Sequence, residues 1–264
     1  MAIKTLNDYN IANKKILVRA DLNVPLENGK ISDISRLISA TPTIKTIQSL
    51  GGITILISHF GRPNGSYKEE LSLKQVVPEL EKLLNCPIKF SSELVGKNVI
   101  KKIDNLIGGE ILLLENTRFF AEEEMNDESF SIELSKLGDI FCNDAFSSSH
   151  RAHASTVGVA KLLPNCAGKL MKKEIDTLEN VLKKPQKPLT AVVGGAKIST
   201  KLNLLLNLIK KVDYLIIGGG MANTFLFAKG MQIGKSLCEK NLKETSQRII
   251  SEANENKCEI ILPH

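Results

Sequence analysis

The 264 residues are 42% apolar and 24% charged, with a mean hydropathy of −0.03, which excludes disordered and collagen-like chains and suits two globular domains. No apolar run reaches the roughly 18 residues of a membrane span, and the first residues do not resemble a secretory signal, so we expect a cytosolic protein. The 35 basic and 29 acidic residues give a net charge of +6, which suits anionic small molecules as readily as nucleic acid.

Short apolar runs that alternate with helical patterns predict an α/β fold with a mainly parallel sheet in the first half of the chain. The predicted strands of this half are Lys15–Ala20, Ile53–Ser58, Pro87–Phe90, Glu110–Leu114 and Asp139–Cys142. Amphipathic helices are predicted at Arg36–Ser49 and Leu73–Leu84, where apolar residues recur every three to four positions.

A helical pattern from Leu170 to Lys184 precedes Pro185 and Pro188, which stop a helix. We therefore predict a hinge helix and proline-rich linker at residues 170–188, between domains at residues 1–169 and 189–264. The second domain is predicted to contain strands at Leu189–Val193, Tyr214–Ile217 and Cys258–Leu262, and helices at Ser199–Lys210, Met221–Lys229 and Leu237–Asn254. Three strands are half of a doubly wound sheet, so we expect this domain to be incomplete at His264.

Polar residues follow the ends of four predicted strands in the first half. In chain order these are Asp21 and Asn23, then His59 and Arg62, then Arg118, then Asn143 and Asp144, with Arg151 a few residues later. Ligands of parallel sheets gather at the carboxyl ends of the strands, so these residues should share one cleft with Arg36, which begins a helix. Arginine binds carboxylate or phosphate through paired hydrogen bonds, so the cleft predicts a small polyanion as its ligand.

Residue types that the chain uses sparingly sharpen this prediction. Only six basic residues are arginines, and five of them precede residue 152. Arg19 lies within its strand and is assigned a structural role, whereas Arg248 is assigned to a solvated helix face. The acidic run Glu122–Glu124 is interpreted as a solvated face, and Phe119–Phe120 as core.

Five cysteines without a C-x-x-C pair suit reduced, buried thiols, so neither a disulfide nor a metal site is expected.

Glycine turns follow the first two strands of the second half. The segment Gly194–Lys197 leads toward Lys201, and Gly218–Gly220 follows the next strand. Such turns bind phosphate through backbone N–H groups, so together they predict a nucleotide on this domain. Neither turn is a Walker A loop. The dinucleotide fingerprint would need glycine at Asn223, which disfavours the alternative of an NAD-dependent dehydrogenase.

These motifs occur in an order that resembles one family. The segment Val18–Pro25 is similar to the opening signature of phosphoglycerate kinases, and six later segments resemble further signatures of that family in the same order. These six are Ser58–Pro63, Leu114–Phe119, Asn143–Phe146, His150–Ser155, Gly194–Lys197 and Gly218–Ala222. The resemblance implies a monomeric glycolytic enzyme of two Rossmann-like domains around a hinge. It would transfer a phosphoryl group between ATP and the carboxylate of 3-phosphoglycerate, forming 1,3-bisphosphoglycerate and ADP, without a nucleic acid or membrane partner.

The resemblance also implies roles for individual residues. The implied 3-phosphoglycerate ligands are Asp21, Asn23, Arg36, His59, Arg62, Arg118 and Arg151. The implied nucleotide site consists of Ala196, Lys197, Lys201, Gly219 and Gly220. Arg36 and Lys197 are the implied catalytic residues, since they would neutralise the phosphoryl group during transfer.

Two departures from the family pattern affect these expectations. The segment Ser147–Ser149 stands where the family more often has Gly-Thr-Ala, and we expect it to alter loop packing rather than chemistry. The family's remaining strands, which carry a ribose-binding carboxylate, a magnesium-binding aspartate and a glycine-rich loop, have no counterpart here. Mg²⁺ would therefore arrive with the nucleotide, and no metal ligand is predicted in this chain. The alternative to an active kinase is a non-catalytic fragment that binds 3-phosphoglycerate.

The expected mechanism follows from the acceptor. A carboxylate is ionised at neutral pH, so the transfer needs positioning and charge neutralisation rather than a general base. Closure of the domains about residues 170–188 would bring the ligands together and expel water that competes for the phosphoryl group.

Overall fold

The chain is described by a computed structural model that covers residues 3–183 and 185–263, apart from the side chain of Leu182. It divides into two compact units between Asp176 and Thr177. This division lies within a helix, Lys169–Lys183, in the segment 170–188 predicted as the hinge. Lys184, the last residue of the predicted hinge helix, lies outside the described residues, as do residues 1, 2 and 264 of the predicted domains.

A six-stranded parallel sheet forms the centre of the first unit. The strands of this unit are β1 (Lys15–Arg19), β2 (Leu26–Glu27), β3 (Lys30–Ile31), β4 (Ile53–Ile57), β5 (Lys89–Ser91), β6 (Ile111–Leu114), β7 (Ile140–Asn143) and β8 (Asn165–Ala167). The sheet has the order β5-β6-β4-β1-β7-β8, while β2 and β3 form a separate antiparallel hairpin. The five predicted strands are confirmed within two residues. The sequence pattern misses β8 and the hairpin because neither contains an apolar run.

The sheet packs on both faces because its central strands are apolar. Every residue of β4 is buried, and so is every residue of β1 except Lys15. The helices of this unit are α1 (Ser35–Ser49), α2 (Val77–Leu84), α3 (Lys97–Asp104), α4 (Ala121–Met125), α5 (Glu128–Ser135) and α6 (Val159–Leu162). Val18 packs in one core cluster with Leu37 of α1, whereas its neighbour Leu17 packs in the opposite cluster with Val99 of α3. Alternate strand residues thus fix helices on both faces of the sheet, each buried aliphatic side chain contributing about 1.5–3 kcal/mol.

The two helices predicted in the first half are present. α1 begins one residue before the prediction. The segment predicted as one helix at Leu73–Leu84 begins as a 3₁₀ turn, Leu73–Val76, and becomes α2 at Val77. Pro78 lies in the first turn of α2, where its missing N–H costs no helical hydrogen bond. In the described part of the chain, no helix combines the length and apolarity needed to cross a membrane.

The second unit contains a three-stranded parallel sheet in the order β11-β10-β9. Its elements, with the helix that contains the division, are α7 (Lys169–Lys183), β9 (Thr190–Gly194), α8 (Leu202–Leu208), β10 (Tyr214–Gly218), α9 (Gly220–Ala228), α10 (Lys243–Glu255) and β11 (Glu259–Ile261). Two predicted helices start later than expected: the first begins at Leu202 instead of Ser199, and the second at Lys243 instead of Leu237.

The five cysteines have free thiols, and the prediction that all of them are buried is wrong for two. Cys142, Cys166 and Cys258 are buried, and the other two are half-buried. A hydrogen bond with Cys166, together with burial, raises the pKa of the Cys142 thiol. These thiols therefore serve as small apolar side chains in the core.

Candidate functional site

The ends of β6, β4, β1 and β7 lie side by side at one edge of the first sheet, because these four strands are parallel neighbours. The polar residues that follow them interact across this edge. The positive charges of Arg36, Arg118 and Arg151 all act on the ring of His59, and the charge of Arg62 acts on Arg118. We call these five residues the arginine rim.

Asp21 orients Arg36 at the end of β1. Its carboxylate is 8% exposed and accepts hydrogen bonds from Arg36 Nη1 at 3.1 and 3.0 Å and from the Asn23 N–H at 3.2 Å. The hydroxyl of Ser147 donates to the same carboxylate at 2.5 Å. The sequence predicts that Ser147 alters loop packing only. Its hydrogen bond to Asp21 shows that it also contacts a residue implied in substrate binding. The Arg36 side chain remains 48% exposed, beside a cavity of about 260 Å³ that Ser147 also lines.

Residues from two neighbouring strand ends hold the loop after β4. Asn23 Oδ1 accepts the Gly61 N–H at 2.8 Å, and Arg118 Nη1 donates to the Gly61 carbonyl at 2.9 Å. Asn116 accepts the Phe60 N–H at 3.0 Å and donates to the Phe60 carbonyl at 2.7 Å. Because the backbone groups on this side of the loop are satisfied, the loop that carries the rim histidine is fixed.

His59 is 6% exposed, and its Nδ1 lies 3.0 Å from Nη2 of Arg19. Burial, followed by the charges of Arg19, Arg118, Arg151 and Arg36, lowers the pKa of His59 to about 2. His59 is therefore neutral at physiological pH. Arg19, which sequence reasoning assigned to a structural role, is 1% exposed and also contacts this implied ligand of the site. The sequence feature that could have indicated this contact is an arginine within an otherwise apolar strand.

The interpretation of Glu122–Glu124 as a solvated face is wrong for Glu123. Glu123 is completely buried and accepts hydrogen bonds from the N–H and the hydroxyl of Ser155 at 2.9 and 2.5 Å. Glu122 is exposed, and Glu124, also exposed, pairs with Arg118 Nε at 2.9 Å. A helix turns about 100° per residue, so adjacent acidic residues of α4 have different surroundings.

Positive charges crowd together at the arginine rim. Burial lowers the pKa of Arg118, the charges of Arg151 and Arg62 lower it further, and Glu124 and Glu123 oppose this effect. Arg62 is exposed, while Arg151 is half-buried. Mutual repulsion among these cations is relieved when an anion binds between them, so the electrostatics of the rim favour a small polyanion.

Asp144, placed by sequence at the same edge, instead holds the start of α7. Its Oδ1 accepts the N–H groups of Leu170 and Met171 at 2.9 and 3.2 Å. The side chain is 1% exposed, and burial raises its pKa to about 6, although these hydrogen bonds oppose the rise. A Cβ on Gly168 would lie 2.2 Å from Asp144 Oδ1, so this approach requires glycine. The loop after β7 is thereby tied to the helix that contains the division between the units.

In the second unit, the two glycine turns pack against each other through their backbones. A Cβ on Gly219 would lie 2.8 Å from the Gly195 carbonyl oxygen, and one on Gly220 would lie 2.8 Å from the Ala196 carbonyl oxygen. Gly219 also has a φ of +69°, and the Gly195 carbonyl accepts the Met221 N–H at 2.9 Å. Close backbone packing therefore requires Gly219 and Gly220, whatever binds at the turns.

The lysines of the implied nucleotide site lie on the loop before α8. The predicted helix Ser199–Lys210 includes Lys201, which is wrong, because α8 begins at Leu202 and Lys201 is its N-cap residue, while Lys197 precedes both. Ser199 donates from its N–H and hydroxyl to Glu239 at 3.1 and 2.6 Å, which holds this segment as a loop. A Cβ on Gly195 would lie 3.2 Å from Lys201 Cε, so the Lys201 side chain covers the first glycine turn. Lys197 is exposed.

Known proteins share both the motifs and the fold. The family model for phosphoglycerate kinase matches residues 6–264. Phosphoglycerate kinases from Ruegeria pomeroyi and Bradyrhizobium diazoefficiens are 51% and 53% identical over 263 and 260 residues, which are 100% and 98% of this chain. The structure of phosphoglycerate kinase from Coxiella burnetii matches with a TM-score of 0.86 at 41% identity, and that from Pyrococcus horikoshii OT3 with 0.81 at 30%. Both structural matches cover 99% of this chain.

The matches extend over only part of these relatives. The chain spans 66% of the Ruegeria pomeroyi protein and 65% of the Bradyrhizobium diazoefficiens protein. It spans 66% and 67% of the two structurally similar chains.

Proposed function

The chain belongs to the phosphoglycerate kinase family, and we propose that it catalyses reversible phosphoryl transfer from 1,3-bisphosphoglycerate to ADP, which forms 3-phosphoglycerate and ATP in glycolysis. We also propose that it works as a cytosolic monomer. The main support for this proposal is the arginine rim. At this edge of the sheet, the charges of four guanidinium groups act on the neutral ring of His59 or on one another. Membership of this family argues against the alternative of an NAD-dependent dehydrogenase.

The rim would hold both anionic ends of 3-phosphoglycerate. Arg36, Arg62, Arg118 and Arg151 would bind the phosphate and the carboxylate through charge-assisted hydrogen bonds, and His59 would add a neutral contact. Asp21 and Asn23, which the resemblance also implies as ligands, already hold Arg36 and the loop after β4. We therefore propose that they line the pocket and orient its cationic groups.

The neutral state of His59 fits transfer to a carboxylate. An acceptor carboxylate is ionised at neutral pH and needs no proton removed, and the pKa of His59, lowered to about 2, makes this histidine a poor base. Catalysis then consists of alignment and of cations that meet the developing charge. The partly exposed guanidinium of Arg36 is proposed for this role on the first unit.

The loop and glycine turns of the second unit would bind the nucleotide. Lys201, which covers the Gly195 turn, is proposed to contact the nucleotide phosphates, and the exposed Lys197 to meet the phosphoryl group during transfer. Ala196, Gly219 and Gly220 would surround the nucleotide. Because the reaction requires acceptor and nucleotide to meet, we propose residues 170–188 as the hinge between the domains at 1–169 and 189–264.

Magnesium enters this proposal only as part of the nucleotide. Within residues 3–183 and 185–263, no three histidine, cysteine, aspartate or glutamate side chains converge as metal ligands would.

A coupled spectrophotometric assay with 1,3-bisphosphoglycerate and Mg-ADP tests the proposal. We expect ATP formation by the wild-type chain, and a fall in kcat of about 100-fold for Arg36→Ala if this cation meets the transition state. Arg248→Ala is the matched control, since Arg248 is exposed on α10 and contacts Glu252 at 3.6 Å. Unchanged turnover in Arg36→Ala would contradict the catalytic assignment. Binding of 3-phosphoglycerate without transfer would establish the non-catalytic alternative instead.

A further inference from the structure

A buried chain of polar contacts runs behind the arginine rim and ends on His59. Glu123 accepts hydrogen bonds from the N–H and the hydroxyl of Ser155 at 2.9 and 2.5 Å. The Ser155 hydroxyl oxygen accepts Arg19 Nε–H at 2.9 Å. Arg19 Nη2 in turn lies 3.0 Å from Nδ1 of His59. Glu123 and Ser155 are completely buried, and Arg19 is 1% exposed.

The donor inventory allows one direction for these hydrogen bonds. A guanidinium group has only donors, so His59 Nδ1 must accept and cannot carry the ring proton. The Ser155 hydroxyl accepts from Arg19 and has one proton, which it gives to Glu123, an acceptor when ionised. The neutral ring of His59 must then carry its proton on Nε2, on the side of the ring away from Arg19.

We propose that Glu123, acting through Ser155 and Arg19, holds His59 as the neutral tautomer protonated on Nε2, so that this histidine offers the rim a hydrogen-bond donor without charge. Glu123, Ser155 and Arg19 are thus positioning residues. The value of that donor for binding 3-phosphoglycerate rests on the proposed function, whereas the tautomer itself does not.

Glu123 is suited to this task because Arg19 is a buried cation. Its carboxylate offsets the Arg19 charge, as does that of Asp21. Arg19 Nη1 also donates to the Ala20 carbonyl at 2.5 Å. Each of the three guanidinium nitrogens thus has a hydrogen-bond partner, which sets the orientation of the group toward His59. Loss of the serine bridge would free Nε and allow the guanidinium to turn.

The charges around the histidine support the neutral state. Arg19 lies on β1, and three further guanidinium groups act on the ring from other elements: Arg36 on α1, Arg118 after β6 and Arg151 after β7. Together with burial they disfavour a second proton on the ring. His59 should therefore remain neutral, with one N–H donor, across the physiological pH range.

Long-range ¹H–¹⁵N correlation spectra of the uniformly ¹⁵N-labelled, ligand-free chain test the tautomer. The chain has four histidines, and loss of one set of signals in His59→Gln assigns the ring. We expect an unprotonated Nδ1, a protonated Nε2 and no titration between about pH 5 and 8. Protonation of Nδ1, or a titration midpoint within this range, would overturn the proposal.

Two variants test the relay, and a neighbouring residue supplies the control. Ser155→Ala removes the bridge without changing a charge, and Glu123→Gln removes the charge at nearly the same shape. We expect mixed Nδ1 and Nε2 protonation in either variant and about three- to tenfold weaker 3-phosphoglycerate binding by calorimetry, the size of one lost hydrogen bond. Glu122→Gln, at an exposed position on the same helix, should match wild type in both measurements.

The outcomes separate this proposal from the proposed function. An unchanged tautomer in both folded variants, checked by circular dichroism, would overturn the relay. If one variant does not fold, the other decides, and the wild-type spectrum decides the tautomer alone. If wild-type His59 has the expected tautomer and 3-phosphoglycerate does not bind, the proposed function fails while the assignment of the ring proton stands.

Discussion

Replacing Asp144 by asparagine should change how the stability of the first unit depends on pH. Burial raises the pKa of Asp144 from 3.8 to about 6, so the native state binds more protons than the unfolded chain between these values. Ionisation of the buried carboxylate therefore costs stability as pH rises, about 3 kcal/mol in all at about 1.36 kcal/mol per pKa unit. Integration of the proton-binding difference from about pH 4.5 to 7.5 gives about 2 kcal/mol. Asparagine keeps an oxygen acceptor for Leu170 and Met171 and does not titrate.

Urea denaturation of both proteins across this pH range measures the effect. The stability difference between Asp144→Asn and wild type should shift by about 2 kcal/mol in favour of the variant as pH rises. Any pH-independent cost of the amide moves the whole difference curve without changing its slope. The contribution of His59, whose pKa is lowered, has the opposite sign but is common to both proteins and cancels. Asp104→Asn removes an exposed carboxylate as the control, and a flat Asp144→Asn difference curve would refute the reasoning.

Two further substitutions test local contacts. Ser147→Gly removes the hydroxyl that donates to Asp21 and should weaken 3-phosphoglycerate binding by about two- to tenfold with little change in kcat; equal KM and affinity in both proteins would show that Ser147 affects packing alone. Gly219→Ala should destabilise the second unit by about 1–3 kcal/mol in urea denaturation, because its Cβ would meet the Gly195 carbonyl at 2.8 Å with φ at +69°. Gly218→Ala, where a Cβ meets nothing within 4 Å, is the matched control and should be nearly neutral; equal losses would contradict the packing argument.

Most strands of the first sheet could be predicted because β1, β4, β6 and β7 are short runs of mainly buried apolar residues. The run that ends at Arg19 and the one that ends at Ile57 are adjacent in the sheet, so Asp21 and His59 reach the same edge. In a parallel sheet, this adjacency of strands is enough to place the ligand-binding residues that follow them at one edge.

The roles of Glu123 and Lys201 could not be predicted in the same way. Glu123 is buried because Ser155, 32 residues later, supplies two donors, and no local pattern distinguishes it from Glu122. The helix after Lys201 starts late because Glu239, far along the chain, captures the N–H and hydroxyl of Ser199. In each case a polar partner distant in sequence overrides local helical pattern, and sequence spacing carries no record of that partner.

Calorimetric titration with 3-phosphoglycerate, glycerol 3-phosphate and glycerate tests the central claim most directly, because the three ligands differ in which anionic group they carry. The arginine rim of Arg36, His59, Arg62, Arg118 and Arg151 should bind 3-phosphoglycerate at least about tenfold more tightly than either ligand that lacks one anionic group. Equal binding of glycerol 3-phosphate, or no heat with 3-phosphoglycerate, would contradict the assignment of this rim to a phosphorylated carboxylate.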